Sequence, residues 1–190
     1  MASSINLFQR KTTRMQGYDY TQPGAYFVTL LTYRRQCLFG ALINGVMQLT
    51  PLGELASTCW QALESRFQLV QLDEFVVMPD HIHGILMLTE DDSTGRIRAR
   101  QQETAGSLRT EITSPLPITP SKGSLGSIIA AYKSTVARLY NGMMKSPRTK
   151  IWNRNYHDRI IRNEAELYRI QVYIRENPTN WLANKDEQWW

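Results

Sequence analysis

Phe75-Val76-Val77-Met78-Pro79-Asp80-His81-Ile82-His83-Gly84 is the stretch on which the reading of this chain turns. Its first four residues are β-branched or bulky and apolar, the composition of a strand, and Pro79-Asp80 then breaks the run. From His81 to Leu88 a second strand-like run begins, so the two are expected to form a hairpin around the Pro79-Asp80 turn. Within that second strand side chains alternate between faces. His81 and His83 therefore project from the same face, about 7 Å apart along the strand.

Upstream, Pro51 suits the first turn of a helix, and Ala56, Trp60, Leu63 and Phe67 fall along one side of it. A short strand from Val46 to Leu49 precedes it. Earlier still, Ala25 to Tyr33 reads as a strand without clean alternation, as expected of an internal strand covered on both faces. Downstream, Ile128, Tyr132, Val136 and Leu139 recur at helical spacing between Gly126 and about Met144. Trp152 to Ile161 is a short bridging segment with room for a strand. A last helix is expected from Asn163, an N-cap with Glu164 and Glu166 in the first turn, to an end at Pro178. The order of these elements predicts an α+β fold, a ferredoxin-like sandwich whose antiparallel sheet carries its helices on one face.

Around this core, residues 1–24 read as a basic N-terminal arm, 25–182 as a single domain and 183–190 as a tail. Residues 90–123, rich in Ser, Thr, Pro, Gly and alternating arginines, read as a flexible insertion. Nothing approaches the ~20 apolar residues that span a bilayer. The first residues lack the continuous apolar run of a signal peptide, and Cys37 and Cys59 form no motif; a cytoplasmic location is expected.

The net charge of +5 is modest, but its placement is uneven. Lys122 to Arg162 holds nine basic residues against one acid, Asp158. A solvated surface and a phosphate-binding face both fit such a run; its position between the two chemistry-bearing segments favours the second. Arg10, Lys11, Arg14, Lys133, Arg138, Arg154 and Arg159 are the phosphate-contact candidates.

A His-x-His pair by itself is equally two strand histidines. Its meaning changes with Tyr173 and Asn177, four residues apart and so neighbours on one side of the last helix. Leu167, Ile170 and Ile174 mark that helix's core side, with Tyr173 at its edge. Two neutral imidazoles can share a divalent ion given a further ligand, and a phenol beside it could attack phosphorus. Tyr168 lies about 140° around the helix from Tyr173 and cannot face the same ion. Tyr156 reads as packing and His157 as structural. Tyr18, Tyr20 and Tyr26 could stack on unpaired bases or join the core.

The Phe75–Gly84 segment resembles the motif of the HUH-superfamily single-tyrosine transposases, in which a strand ends at Met-Pro-(Asn/Asp) and two histidines follow. Gly17-Tyr18-Asp19-Tyr20 through Thr29, Cys37-Leu38-Phe39-Gly40, Trp152 through Arg162, and Tyr173-Ile174-Arg175-Glu176-Asn177-Pro178 are similar to the REP-associated tyrosine transposase branch. The resemblance spans most of residues 14–182 apart from the insertion. It implies a ferredoxin-like fold, His81 and His83 as metal ligands with Asn177 as the third, Mg²⁺ or Mn²⁺ as the metal, and Tyr173 as the nucleophile. It further implies a homodimer that cuts and rejoins single-stranded DNA near hairpins through a 5′ phosphotyrosine, away from any membrane. A domesticated hairpin-binding protein without transposition activity is the alternative. A metal hydrolase of small phosphate esters would leave Tyr173 without a role.

Overall fold

The computed structural model describes residues 15, 17–90, 123–145 and 149–181. Arg10, Lys11, Arg14, residues 91–122 of the expected insertion and the 183–190 tail lie outside them. Strand β1 (Gly24–Leu31) leads through a 3-10 turn, Tyr33–Arg35, into a small hairpin of β2 (Gly40–Ile43) and β3 (Val46–Leu49). Helices α1 (Pro51–Gln61) and α2 (Leu63–Arg66), strands β4 (Val70–Met78) and β5 (His81–Leu88), helix α3 (Leu125–Met143), strand β6 (His157–Ile161) and helix α4 (Glu164–Asn180) follow.

The main sheet is antiparallel with order β4-β5-β1-β6. Strands and helices alternate along the chain as β1-α1-β4, then β5-α3-β6, which is the ferredoxin-like path. The α+β sandwich expected from the sequence is therefore what forms, with one difference in where the helices lie. Tyr26, Val28, Leu30, Ile82 and Leu86 bury against Trp60, Tyr132 and the rest of α1 and α3. Ala25, Phe27, Val76, Ile85 and Ile161 point the other way and pack on Leu167, Ile170 and Ile174 of α4. Period-two alternation in the sheet thus feeds two separate cores, and α4 occupies the face opposite the other helices.

The large core forms because its elements end where they must. Thr50 caps α1 by accepting from the Gly53 amide at 3.2 Å, Ser124 caps α3 from Ser127 at 3.3 Å, and Asn163 caps α4 from Glu166 at 2.9 Å. Gly84 is needed for a close approach: a Cβ there would meet the Trp60 indole at 2.3 Å. The indole can therefore lie flat on the strand immediately beyond His83.

Three sequence expectations shift. Helix α4 does not stop before Pro178 but carries it and ends at Asn180. Proline disfavours helical geometry in its predecessor without forbidding it, and at the last turn it removes only one backbone hydrogen bond. Strand β4 starts at Val70, earlier than the apolar run suggested, because a bulge between Leu72 and Phe75 interrupts its alternation. Strand β2 was hidden by its four-residue length, although Asn44 and Gly45, at φ of 53° and 77°, form the left-handed turn that such a pair favours. The described end of the N-terminal segment packs rather than trails. Tyr20 and Tyr26 are buried in the main cluster with Tyr18 against them, and the Tyr20 carbonyl accepts the Leu125 amide at 3.0 Å.

Candidate functional site

The β5–β1 register sets His83 opposite Thr29 and His81 opposite Leu31. Alternation then places both imidazoles on the α4 face, each buried, with ring centroids 4.4 Å apart. Asp80 Oδ1 accepts from His81 Nδ1 at 2.7 Å. An ionised carboxylate has no proton to give, so Nδ1 carries the hydrogen, and in the neutral ring that leaves the lone pair on Nε2. That Nε2 is buried and has no hydrogen-bond partner among the described residues. The other Asp80 oxygen takes Arg35 Nε at 2.7 Å. Burial works against the Asp80 charge, but the hydrogen bonds and charges of His81 and Arg35 outweigh it and hold the carboxyl below its ordinary value.

His83 is held differently. Its Nδ1 lies 2.9 Å from the Thr29 hydroxyl, Phe27 stacks on its ring at 5.2 Å, and its Nε2 faces the Tyr173 hydroxyl at 3.3 Å. Burial, with lesser repulsion from His81 and Arg35, pushes its pKa well below the ordinary histidine value, so the ring is neutral at physiological pH. Neutral imidazole is the form a metal ion requires.

Tyr173 comes from the far side of the sequence, and its position follows from how α4 is strapped across the sheet. At one edge, Arg159 of β6 donates to Glu166 Oε1 at 2.7 Å and the Arg162 amide donates to Glu166 Oε2 at 3.0 Å. At the other, Gln171 donates to Asp73 at 2.7 Å and Arg175 to Glu74 at 2.9 Å. Asp73 and Glu74 are the bulge residues of β4, so the irregularity turns both carboxylates toward the helix. Between these straps Ile174 is the buried anchor, and Tyr173 remains 45% exposed beside the histidines. Burial raises its phenol pKa above 10, and a hydrogen bond from the Asn177 amide pulls it part of the way back. Tyr168, 64% exposed, points away.

The donor set suits a divalent metal ion: one imidazole nitrogen without a partner, a second facing the same space, and the Asn177 amide one turn from Tyr173. Among the described residues no group of three His, Cys, Asp or Glu could hold a metal. Such an ion would thus depend on the amide and on oxygens of a bound substrate.

The described basic candidates do not form one surface. Lys133 turns inward and donates to the carbonyls of Asn153, Arg154 at 3.3 Å and Asn155 at 3.4 Å. Burial lowers its pKa to about 8. Arg138 is exposed on α3, close enough to Cys59 of α1 to act on its thiol, and Arg154 is exposed on the loop that Lys133 holds. Of these only Arg159 shares the face of Tyr173; with Arg162 and Arg169 it also lines a cavity of about 560 Å³ at the β6 edge, to which Tyr173 does not contribute. Asp80, Arg35, Thr29 and Phe27 were not singled out from the sequence. Asp80 was signalled by its place beside His81; Arg35, 45 residues away, left no local sign. Tyr156 is buried packing, as its sequence context suggested.

The ferredoxin-like fold of this chain is similar to that of a REP-associated tyrosine transposase. The solved structure of that transposase bound to a REP hairpin matches 88% of this chain and 74% of its own, with a TM-score of 0.54 at 16% identity. An uncharacterized protein of Haemophilus influenzae is 34% identical over 178 residues, covering 94% of this chain and 93% of its own length. This chain belongs to the same family as that protein. No family model matches the chain. Among the described residues, no helix is long and apolar enough to cross a membrane.

Proposed function

We propose that this chain is a transposase-like DNA-processing enzyme that cuts and rejoins single-stranded DNA through Tyr173. The observation that carries the reading is the Tyr173 hydroxyl 3.3 Å from His83 Nε2, on the face that also holds His81. A helix tyrosine used only for packing has no reason to present its oxygen to a buried histidine pair.

His81, His83 and Asn177 would hold Mg²⁺ or Mn²⁺. Bound there, the cation supplies Lewis-acid polarisation of a phosphate oxygen and offsets the charge that builds up during attack. The chain's own residues do the rest. Tyr173 Oη forms a bond to phosphorus as the bond from phosphorus to the 3′ oxygen breaks. The phenol proton leaves to water, and the departing oxygen takes a proton to become a free 3′ hydroxyl. The product is a 5′ phosphotyrosine, and attack by a 3′ hydroxyl on it reverses the step. The Asn177 amide steadies the phenol oxygen as charge develops on it. Because the structural neighbour is bound to a REP hairpin, an imperfect hairpin in single-stranded DNA is the substrate we assign, with two copies of the chain acting together.

The test is covalent capture. Wild type incubated with a labelled hairpin oligonucleotide from the gene's own flanks and Mn²⁺ should give a denaturation-resistant adduct, and EDTA should abolish it. Tyr173→Phe should fold and bind the hairpin without forming any adduct, whereas Tyr168→Phe and Tyr156→Phe should keep most activity. An adduct at the wild-type rate from Tyr173→Phe would exclude the nucleophile assignment. Hairpin binding by wild type with no adduct under any metal would favour the domesticated binder.

A further inference from the structure

The chain leaving β1 passes through two consecutive left-handed residues that are not glycine, Arg34 at φ 55° and Arg35 at φ 57°. L-residues rarely adopt this geometry, and strain of this kind persists only where the surroundings impose it. The surroundings here are specific. The Thr32 amide and hydroxyl both donate to the Asp80 carbonyl at 2.9 Å, and the Tyr33 amide donates to the Ile151 carbonyl at 2.7 Å. What the strained turn delivers is the Arg35 guanidinium, whose Nε meets Asp80 Oδ2 at 2.7 Å while Oδ1 is engaged by His81 Nδ1 at the same distance. With one oxygen fixed by Arg35, the carboxylate cannot rotate away from the imidazole. His83 has no equivalent: a threonine hydroxyl donates or accepts and so leaves the tautomer open.

We infer that Asp80 and Arg35 are positioning residues that lock His81 as the Nδ1–H tautomer, with Nε2 presented to a divalent cation. The backbone strain at Arg34-Arg35 exists to place that guanidinium. The cation in this inference rests on the metal-dependent reading above. Carboxylate partners of this kind fix ring orientation and raise ligand basicity.

The tautomer can be read without metal, from the ring ¹⁵N shifts of the metal-free protein. Wild type should show His81 with hydrogen on Nδ1. Asp80→Asn has one acceptor oxygen for two donors. With that oxygen turned to Arg35, its amide NH2 meets Nδ1 and should move the His81 hydrogen to Nε2. Asp80→Ala, which removes the acceptor without adding a donor, should give a mixture. Arg35→Gly relieves the left-handed backbone strain but leaves the buried Asp80 carboxylate with one partner fewer, so its melting temperature should move little, and its His81 pattern should become mixed. Arg34→Gly is the control, expected to melt slightly higher with an unchanged His81. Calorimetry with Mn²⁺ alone should show Asp80→Ala weakened roughly 10–100-fold, Asp80→Asn at least as much, and Arg35→Gly several-fold. Unchanged shifts and Mn²⁺ affinity in both Arg35→Gly and Asp80→Ala would overturn the positioning role while leaving the metal reading intact. A wild-type protein that takes up no Mn²⁺ would overturn the metal reading, and with it the cation's part in this inference, while the ¹⁵N shifts still decide the lock.

Discussion

The two faces of the sheet are built by different means. On one, α1 and α3 contribute Trp60, Ala56, Ile128, Ile129, Tyr132 and Val136 to a continuous cluster that extends to Phe39 and Tyr20. On the other, the buried cluster among the described residues is Ile85, Ile161 and Ile174, and α4 is otherwise strapped by Arg159–Glu166, Gln171–Asp73 and Arg175–Glu74. Apolar burial scales with area and is indifferent to small shifts, whereas charge-assisted hydrogen bonds are short-ranged and directional. The first face therefore supplies stability. The second supplies placement, and it is the one that carries both histidines and Tyr173.

The comparison breaks most visibly at Trp60. Trp60→Ala empties the centre of the large face and should cost about 3–5 kcal/mol in urea unfolding, enough to threaten folding itself. Ile174→Ala on the other face should cost roughly 2–3 kcal/mol, near the low end for such truncations because that core is small. Its loss of adduct formation should exceed what reduced stability explains, since Ile174 adjoins Tyr173. Lys133→Met separates structure from DNA contact. Three carbonyls lose their donor, so stability should fall by about 1–2 kcal/mol, while the salt dependence of hairpin binding stays that of wild type. A lower salt slope would return Lys133 to the list of phosphate contacts. Arg175→Ala removes a half-exposed ion pair worth about 0–1 kcal/mol, yet the adduct rate should drop around tenfold if the strap sets the reach of Tyr173.

Acid gives the mildest test. The hydrogen bond from the Arg162 amide, joined by Arg159, lowers the Glu166 pKa below its ordinary 4.5. A carboxyl depressed in the folded state contributes stability that is complete above 4.5 and lost as pH falls through the folded value. Amide exchange should therefore speed up in α4 before α3 as pH drops below 4.5, and Glu166→Gln should remove that difference. Equal acid sensitivity of the two helices would mean the strap does not hold α4.

Much of this was legible locally. Alternation put His81 and His83 on one side of a strand, and helical spacing put Tyr173 and Asn177 on one side of a helix; both periodicities are properties of a few neighbouring residues. The same logic marked Trp60 and Tyr132 as core. It could not report that Lys133 faces inward, because a lysine on an amphipathic helix has the same spacing whether it meets water or three carbonyls. Nor could it show that, among the described residues, Arg138, Arg154 and Arg159 lie on separate surfaces, since contiguity in sequence is not contiguity in space.

The sequence by itself determined the strands of the main sheet, the long helices and their order, and it marked His81, His83, Tyr173 and Asn177 as groups that meet. Only the tertiary structure decided that α4 crosses the face opposite α1 and α3, that a bulge at Asp73-Glu74 aims two carboxylates at it, and that Arg35 closes on Asp80. Those contacts join residues 98, 101 and 45 positions apart. No local pattern encodes them, because the energy of each exists only once the sheet has brought its partners within hydrogen-bonding distance.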